Sequence, residues 1–327
     1  MLRIKFSSIA ILVLVVIASS CNNKEGVRKI HLTHSGTTDH PVHKGMVRFT
    51  ELLAKKSNSR INAKVYHGNQ LGSDRECVEL LQIGSLAITK VPTAVLENFH
   101  PNFKVLSLPY IFRSDEHKRK TLSGPIGREL LKGLESYGMV GLCYYESGNR
   151  SFYSKSKLIN TPNDIKGLKV RVMNSQSSIK MVSAFDGMAT PISFGELYAA
   201  LQQGVVDIAE NNIPSYVSNK HYEICKFYSF NEHLAIPDVL VMSKIIWESF
   251  NKEEQKWILE AAQESTVYQE EQWDISIKES IKMLEKEGVK IAYPDKKTFI
   301  EKTQKLRDEF NEDVNLARLI KEIETVR

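Results

Sequence analysis

The chain has 327 residues, 42% of them hydrophobic and 25% charged, and a formal net charge of +5. That length suggests roughly two domains, and the composition excludes both a disordered chain and a multi-pass membrane protein. With so small an excess of basic residues and no dense basic run, a nucleic-acid partner has no support.

Arg3 and Lys5 precede an apolar run over residues 9–17, and Ala18, Ser19 and Ser20 lead directly to Cys21. A charged start, a short apolar stretch and a small-residue zone make a secretory signal over residues 1–20. The apolar stretch is too short to span about 30 Å of hydrocarbon. Cys21 after small residues resembles the lipobox of bacterial lipoproteins, although Ala18 stands where that pattern favours leucine. The resemblance implies that Cys21 is lipidated and anchors an exported protein to a membrane through the polar tether that follows. Cys77, Cys143 and Cys225 then remain, an odd number without a CxxC pair, and are expected as buried free thiols.

Residues 30–33 read as a strand, and Asp39, His40 and Pro41 open a helix whose Val42, Met46, Phe49, Leu52 and Leu53 recur at helical spacing. A second strand is expected over 61–66. Ser73 and Glu76 form a capping box for a helix ended by Gly84. Strands follow at 86–91 and 139–145, with a further element at 104–108. Thr161, Pro162, Asn163 and Asp164 mark a helix start before a strand at 169–172, a helix over 194–203 and a strand at 205–209. This alternation predicts an α/β fold with mostly parallel sheets and helices on both faces. Residues 251–286 then read as one helix of roughly 50 Å, long enough to run along two lobes.

No GxSxG, GxxxxGK[ST], GxGxxG, HExxH or CxxC motif occurs, and Glu253, Glu254, Glu270 and Glu271 fall on the solvated face of the long helix, so an enzyme is not expected. His31 and His34, and His40 and His43, are three apart, but no third ligand is evident; neither a metal nor a cofactor is expected. Ligands of open parallel sheets bind beyond the carboxyl ends of the strands. Arg150, Arg171 and Asn211 fall at such ends. Arg171, between Val170 and Val172, is either an internally paired arginine or a bidentate partner for a carboxylate.

Several segments, in order, resemble the solute-binding proteins of tripartite ATP-independent periplasmic (TRAP) transporters: DHPVHKGMVRFTELLAKKS, VYHGNQLGSDRE, FKVLSLPYIFRSDEH, INTPNDIKGLKVRVMNS and PISFGELYAALQQGVVDIAENN. The resemblance implies a two-domain periplasmic binding protein fold (type II-like), with a long helix spanning both domains. Domain I would be 27–147 plus 236–275, and domain II 148–235 plus 276–327. It also implies that Arg171 clamps a carboxylate, with Arg150 a second cleft arginine, Phe194 packing on the ligand, Asn211 hydrogen-bonding it and His34 a polar contact. Asp74, Glu76, Lys90, Asn174 and Glu210 would complete the cleft. Ala87 and the pair Ile208 and Ala209 depart from the commonest family residues. YYESGNRSFY, AENNIPSYVSNKHYE and FNEHLAIPDVL resemble the branch that binds hexuronates such as glucuronate and galacturonate. A C4-dicarboxylate, another organic acid such as sialic acid, or a ligand-sensing component are the alternatives. The implied partners are an organic acid, the membrane subunits of the transporter and a membrane reached by the lipid anchor, at the periplasm or extracytoplasmic face.

Overall fold

The structure, a computed structural model, describes residues 26–327. The expected signal segment and Cys21 lie outside the described residues. The strands are β1 (Arg28–Thr33), β2 (Ile61–Tyr66), β3 (Ile88–Pro92), β4 (Met139–Tyr145), β5 (Arg150–Ser154), β6 (Lys169–Val172), β7 (Met188–Pro191), β8 (Ile208–Asn211), β9 (Phe227–Leu234), β10 (Asp238–Ser243) and β11 (Lys290–Ala292). They form two sheets, one in each lobe, of order β2-β1-β3-β10-β4 and β11-β9-β5-β8-β6-β7. β1 pairs in parallel with β2 and β3, β6 with β7 and β8, and β9 with β11. The antiparallel pairings all involve β5 or β10. These two strands follow the points where the chain crosses between lobes, at 146–149 and 235–237, so both sheets are mixed.

The long helix runs from Lys252 to Lys286. Asn251 and Glu254 cap it reciprocally, and Gly288, at φ 69°, follows its end. At 1.5 Å per residue it is about 52 Å long. Its first half buries Ile258, Ala261 and Ala262 in one core with Met46 and Phe49 of the helix Pro41–Lys56. Its far end places Leu284 in the second lobe's core with Tyr153 and Tyr216. Between them, Gln269 accepts from the Glu146 N–H and donates to the Glu146 carbonyl, both at 2.8 Å. That pairs the backbone of the first crossing without borrowing from either sheet. Ser147 Oγ donates to the Ile236 carbonyl, tying the two crossings together. Gly148 sits at φ 58° with Trp273 of the long helix 3.0 Å from where a Cβ would lie, so a side chain there meets both strain and a clash.

Three sequence expectations change. The element expected at 104–108 starts earlier and is a 3-10 helix, Pro101–Ser107, with Leu108 beyond its end. The helix cap at Pro41 is the His40 ring rather than Asp39. The tail, expected wholly in the second domain, divides. Helix Lys297–Asn311 packs there, with Phe299 edge-on to Phe185 at 5.7 Å. Helix Val314–Thr325 instead returns to the first lobe, burying Leu316, Leu319, Ile320 and Ile323 beside Phe103, Ile126 and Leu130. His117 Nε2 meets the Ile323 carbonyl at 2.8 Å, and Arg113 donates to the Glu324 carbonyl at 2.9 Å. An amphipathic pattern states that a helix has a buried face, not which lobe supplies the other half. Cys77, Cys143 and Cys225 are buried and unpaired, and burial pushes each thiol up to about 12.

Candidate functional site

A cavity lies between the lobes, lined by polar and charged side chains from both. The first lobe contributes His34 after β1, His40, Asp74, Lys90 on β3 and Asp238 at the start of β10. The second contributes Arg150 at the start of β5, Arg171 within β6, Phe194, Asn211 at the end of β8 and Ser215. Arg171 and Asn211 stand at the carboxyl ends of parallel strands, where sheet topology opens a crevice.

Three cations meet in this space, and their partners differ. Lys90 Nζ lies 3.4 Å from Asp238 Oδ1; burial opposes its charge, but Asp238 and Asp74 outweigh burial and hold its pKa up. Arg150 is enclosed by Glu210. Its Nε donates to Glu210 Oε2 at 2.5 Å, and its Nη2 to Glu210 Oε1 and to the Glu210 carbonyl, both at 2.8 Å. Its Nη1 donates to Asn211 Oδ1 at 2.8 Å. Of five guanidinium N–H groups, four are thereby used. Burial would raise the Glu210 carboxyl, but the Arg150 charge, the nearby His233 ring and the hydrogen bonds from Arg150 bring it down to about 2.

Arg171 is different. It is 2% exposed, yet among the described residues its only hydrogen bond runs from Nε to the Ile192 carbonyl at 2.9 Å. Nη1 is buried without a partner. Phe194 lies under the guanidinium, 5.8 Å from ring centre to Cζ. Burial lowers the Arg171 pKa, and the neighbouring Arg150 lowers it further, with Glu210 opposing. A buried guanidinium nitrogen without a partner is costly unless an anion completes it.

The histidines serve as neutral wall groups. His34 Nδ1 accepts from the Gly36 N–H at 3.1 Å, which leaves the proton on Nε2, 2.9 Å from His43 Nδ1. His34 thus pairs with His43 rather than with His31, which is exposed on β1. Among the described residues no group of three His, Cys, Asp or Glu is placed to hold a metal ion. His40 Nδ1 accepts from the Val42 N–H, and its Nε2 reaches Ser215 Oγ across the cleft at 3.1 Å.

A sequence profile of the bacterial extracellular solute-binding proteins of family 7 matches residues 32–313. The chain belongs to that family. A solute-binding protein of Chromohalobacter salexigens is 35% identical to it over 287 residues, 87% of this chain and 85% of that protein. A TRAP periplasmic solute-binding protein of Xanthobacter autotrophicus Py2, solved with bound β-D-galacturonate, is 36% identical with a TM-score of 0.89. The match covers 91% of this chain and all of that one. One from Chromohalobacter salexigens, solved with D-glucuronate, is 33% identical with a TM-score of 0.88, covering 91% and 100%. This TRAP solute-binding protein therefore has the family's two-lobed α/β fold and its periplasmic role in transport.

Of the residues the sequence singled out in this binding protein, His34, Asp74, Lys90, Arg150, Arg171, Phe194 and Asn211 line one cavity. Glu210 stands behind it, wholly buried against Arg150. Asn174 is exposed and borders an adjoining recess that shares Asp74, Arg171 and Phe194 with the cavity. Glu76 is not in the cleft: it is exposed, its Oε2 held by the Ser73 N–H and Ser73 Oγ, both at 2.8 Å. Sequence reasoning missed His40, Ser215, Asp238 and His233. His233 Nε2 lies 3.6 Å from Glu210 Oε2, and its ring stacks on Phe152 at 4.2 Å. A lone acid before an apolar run, as Asp238 is before residues 239–242, was the one available signal, since it needs a buried partner.

Proposed function

We propose that this binding protein captures a hexuronate, such as galacturonate or glucuronate, and delivers it unchanged to the membrane subunits of a TRAP transporter. The observation that carries this is the unpartnered guanidinium of Arg171 in the cavity. Lys90 and Arg150 each have a carboxylate in contact, whereas Nη1 of Arg171 is buried without a partner and no carboxylate among the described residues, Asp74 included, is bonded to it. A single carboxylate on a ligand completes that guanidinium in bidentate form. Asp74, His34, Asn211 and Ser215 offer both donors and acceptors to hydroxyl groups, as a sugar acid requires. Relatives of the same fold bound to galacturonate and glucuronate support the same class. A C4-dicarboxylate would bring a second anion to cations already neutralised.

In this reading the two lobes close on the ligand about the crossings at 146–149 and 235–237, with the long helix as their common spine. Domain I is 27–147 plus 236–275 and the helix Val314–Thr325, and domain II is 148–235 plus the stretch from 276 through the helix Lys297–Asn311. Cys21 carries lipid and holds the mature protein at a membrane surface, and no chemistry is done on the ligand. The test is a thermal-shift screen over D-galacturonate, D-glucuronate, C4-dicarboxylates and sialic acid, with recovery of the ligand for analysis. A ligand of the folded state raises stability by RT ln(1 + [L]/Kd). The uronates should give the largest shifts and be recovered intact. A dicarboxylate that stabilises where uronates do not would overturn the proposal.

A further inference from the structure

Outside the cavity, a second contact joins the lobes. Glu97 follows the short helix Thr93–Leu96 of the first lobe and is 3% exposed. Its Oε1 accepts from Ser175 Oγ at 2.7 Å and from the Ser177 N–H at 3.0 Å, both in the second lobe. Beside it, Asn98 Nδ2 donates to the Asn174 carbonyl at 2.7 Å. Ser175 already caps the helix Gln176–Ala184 from within its own lobe, its Oγ accepting from the Ser178 N–H at 3.0 Å. The Ser178 N–H is thus capped from within the lobe, and the Ser177 N–H is a remaining first-turn amide that Glu97 takes from across the cleft. The carboxylate adds negative charge to the positive end of the helix only when the lobes are together. Glu97 Oε2 is buried without a partner, so the group surrenders hydration to reach this position. A buried carboxylate whose hydrogen-bond partners all lie in the other lobe is placed for the closed arrangement.

We propose that Glu97 is a positioning residue that sets the affinity of this protein by holding the lobes closed, without touching the ligand. The inference rests on the reading above, in which the lobes close on a sugar acid. The measured dissociation constant is the intrinsic one divided by the fraction of protein able to bind. Loss of the Glu97 contact lowers the closed fraction, and affinity falls in proportion. Opening releases the ligand, so the change falls on the dissociation rate. Neither Glu97 nor Ser177 borders the cavity, so the preference between two ligands stays as it is.

The test uses the mature protein with Glu97→Gln and Glu97→Ala, titrated with D-galacturonate, D-glucuronate and the best acid of the thermal-shift screen. Both variants should bind roughly tenfold to a hundredfold more weakly, with alanine the weaker. Dissociation in stopped flow should quicken by the same factor and association stay within about twofold. The ratio of the two uronate affinities should be unchanged, and the ligand-free Tm should lie within about 2 °C of wild type. Variants that bind as tightly as wild type overturn the latch alone. A lowered ligand-free Tm with an unchanged dissociation rate also overturns it, since that marks a structural residue. A wild type that binds no acid of the screen overturns the sugar-acid reading first, and the latch with it.

Discussion

Arg150 fixes the direction in which Asn211 faces. Arg150 Nη1 donates to Asn211 Oδ1 at 2.8 Å, and the same oxygen accepts from the Asn212 N–H at 2.9 Å. With its oxygen doubly used, the amide presents its NH2 to the cavity, as a donor for a carboxylate or hydroxyl. Asn211→Asp keeps an oxygen for Arg150 and replaces that donor with a second acceptor. Uronate affinity should fall at least tenfold in calorimetric titration, with circular dichroism unchanged. A folded N211D variant that binds as wild type would remove Asn211 from the ligand.

Glu210 acts one step further back, through Arg150. Both side chains are almost wholly buried, so neutralising one strands the charge of the other. Breaking a buried pair in this way costs about 3–5 kcal/mol, whereas replacing both members by apolar groups is often near neutral. Glu210→Gln should lower Tm by several degrees, and the double change Arg150→Met with Glu210→Met should recover most of the loss while still failing to bind. Equal Tm values for the single and double variants would refute the coupling.

Acid should destabilise the fold through its buried histidines. His40 accepts a backbone N–H at Nδ1 and must stay neutral, and burial, helped by the Lys90 charge, lowers its pKa from 6.5 to about 3. His221 is lowered to about 3 as well, by burial and by Arg171. In the unfolded chain both return to about 6.5. Between those values the unfolded state holds protons that the folded state refuses, so stability rises with pH up to about 6.5 and is lost as pH falls below it. Each histidine contributes up to about 1.4 kcal/mol per pH unit in that window. Tm should be level from pH 8 to 7 and fall between 6.5 and 5. His40→Asn, which keeps a capping acceptor, should show a shallower slope. Parallel slopes for variant and wild type would exclude His40 as a cause.

The parts of the fold that local rules govern were legible in the sequence. The long helix announces itself by Asn251, its unbroken pattern and Gly288, and β2, β4 and β6 run where their apolar residues recur. β9 was not legible, because Asn231, Glu232 and His233 interrupt it. Those polar groups are tolerated only through tertiary partners, Asn231 Oδ1 accepting from the Phe152 N–H at 3.2 Å. Glu76 shows two readings competing for one side chain, and the local one prevails because the cap satisfies the carboxylate where it stands. The three basic residues of the cleft are alike in sequence. What separates Arg171 from Arg150 and Lys90 is the partner each finds far along the chain, which no spacing encodes.

The lipid anchor is open to a direct test. Ala18, Ser19 and Ser20 place Cys21 at a lipoprotein-like processing point. One lipid chain gives only marginal membrane binding, so a stably anchored protein needs the full diacyl modification at this residue. Cys21→Ser should move the protein from the membrane to the soluble fraction of fractionated cells. Unchanged membrane association would refute lipidation.

Arg171 gives the sharpest expectation for binding. If its free terminal nitrogens form two parallel bonds to the ligand carboxylate, lysine cannot replace them, since a point charge on a flexible stem has no fork. Truncating one partner of a buried charged pair costs about 2–5 kcal/mol, or on the order of 30- to several-thousand-fold in affinity. Arg171→Lys should lose part of this, and Arg171→Glu should abolish binding by setting two anions face to face. Arg171→Lys should leave the ligand-free Tm near that of wild type, because no protein anion among the described residues pairs with Arg171 and only the Ile192 carbonyl loses a bond. Arg171→Glu sets a buried carboxylate near Glu210 and Asp74 and should lower it. Calorimetric titration of the best uronate into wild type and both variants, with circular dichroism for folding, gives the answer. A folded R171K protein that binds within about threefold of wild type would show that Arg171 is not the clamp. Arg150 could not then take its place unaided: four of its five N–H groups already serve Glu210 and Asn211, and a single remaining donor offers no bidentate grip.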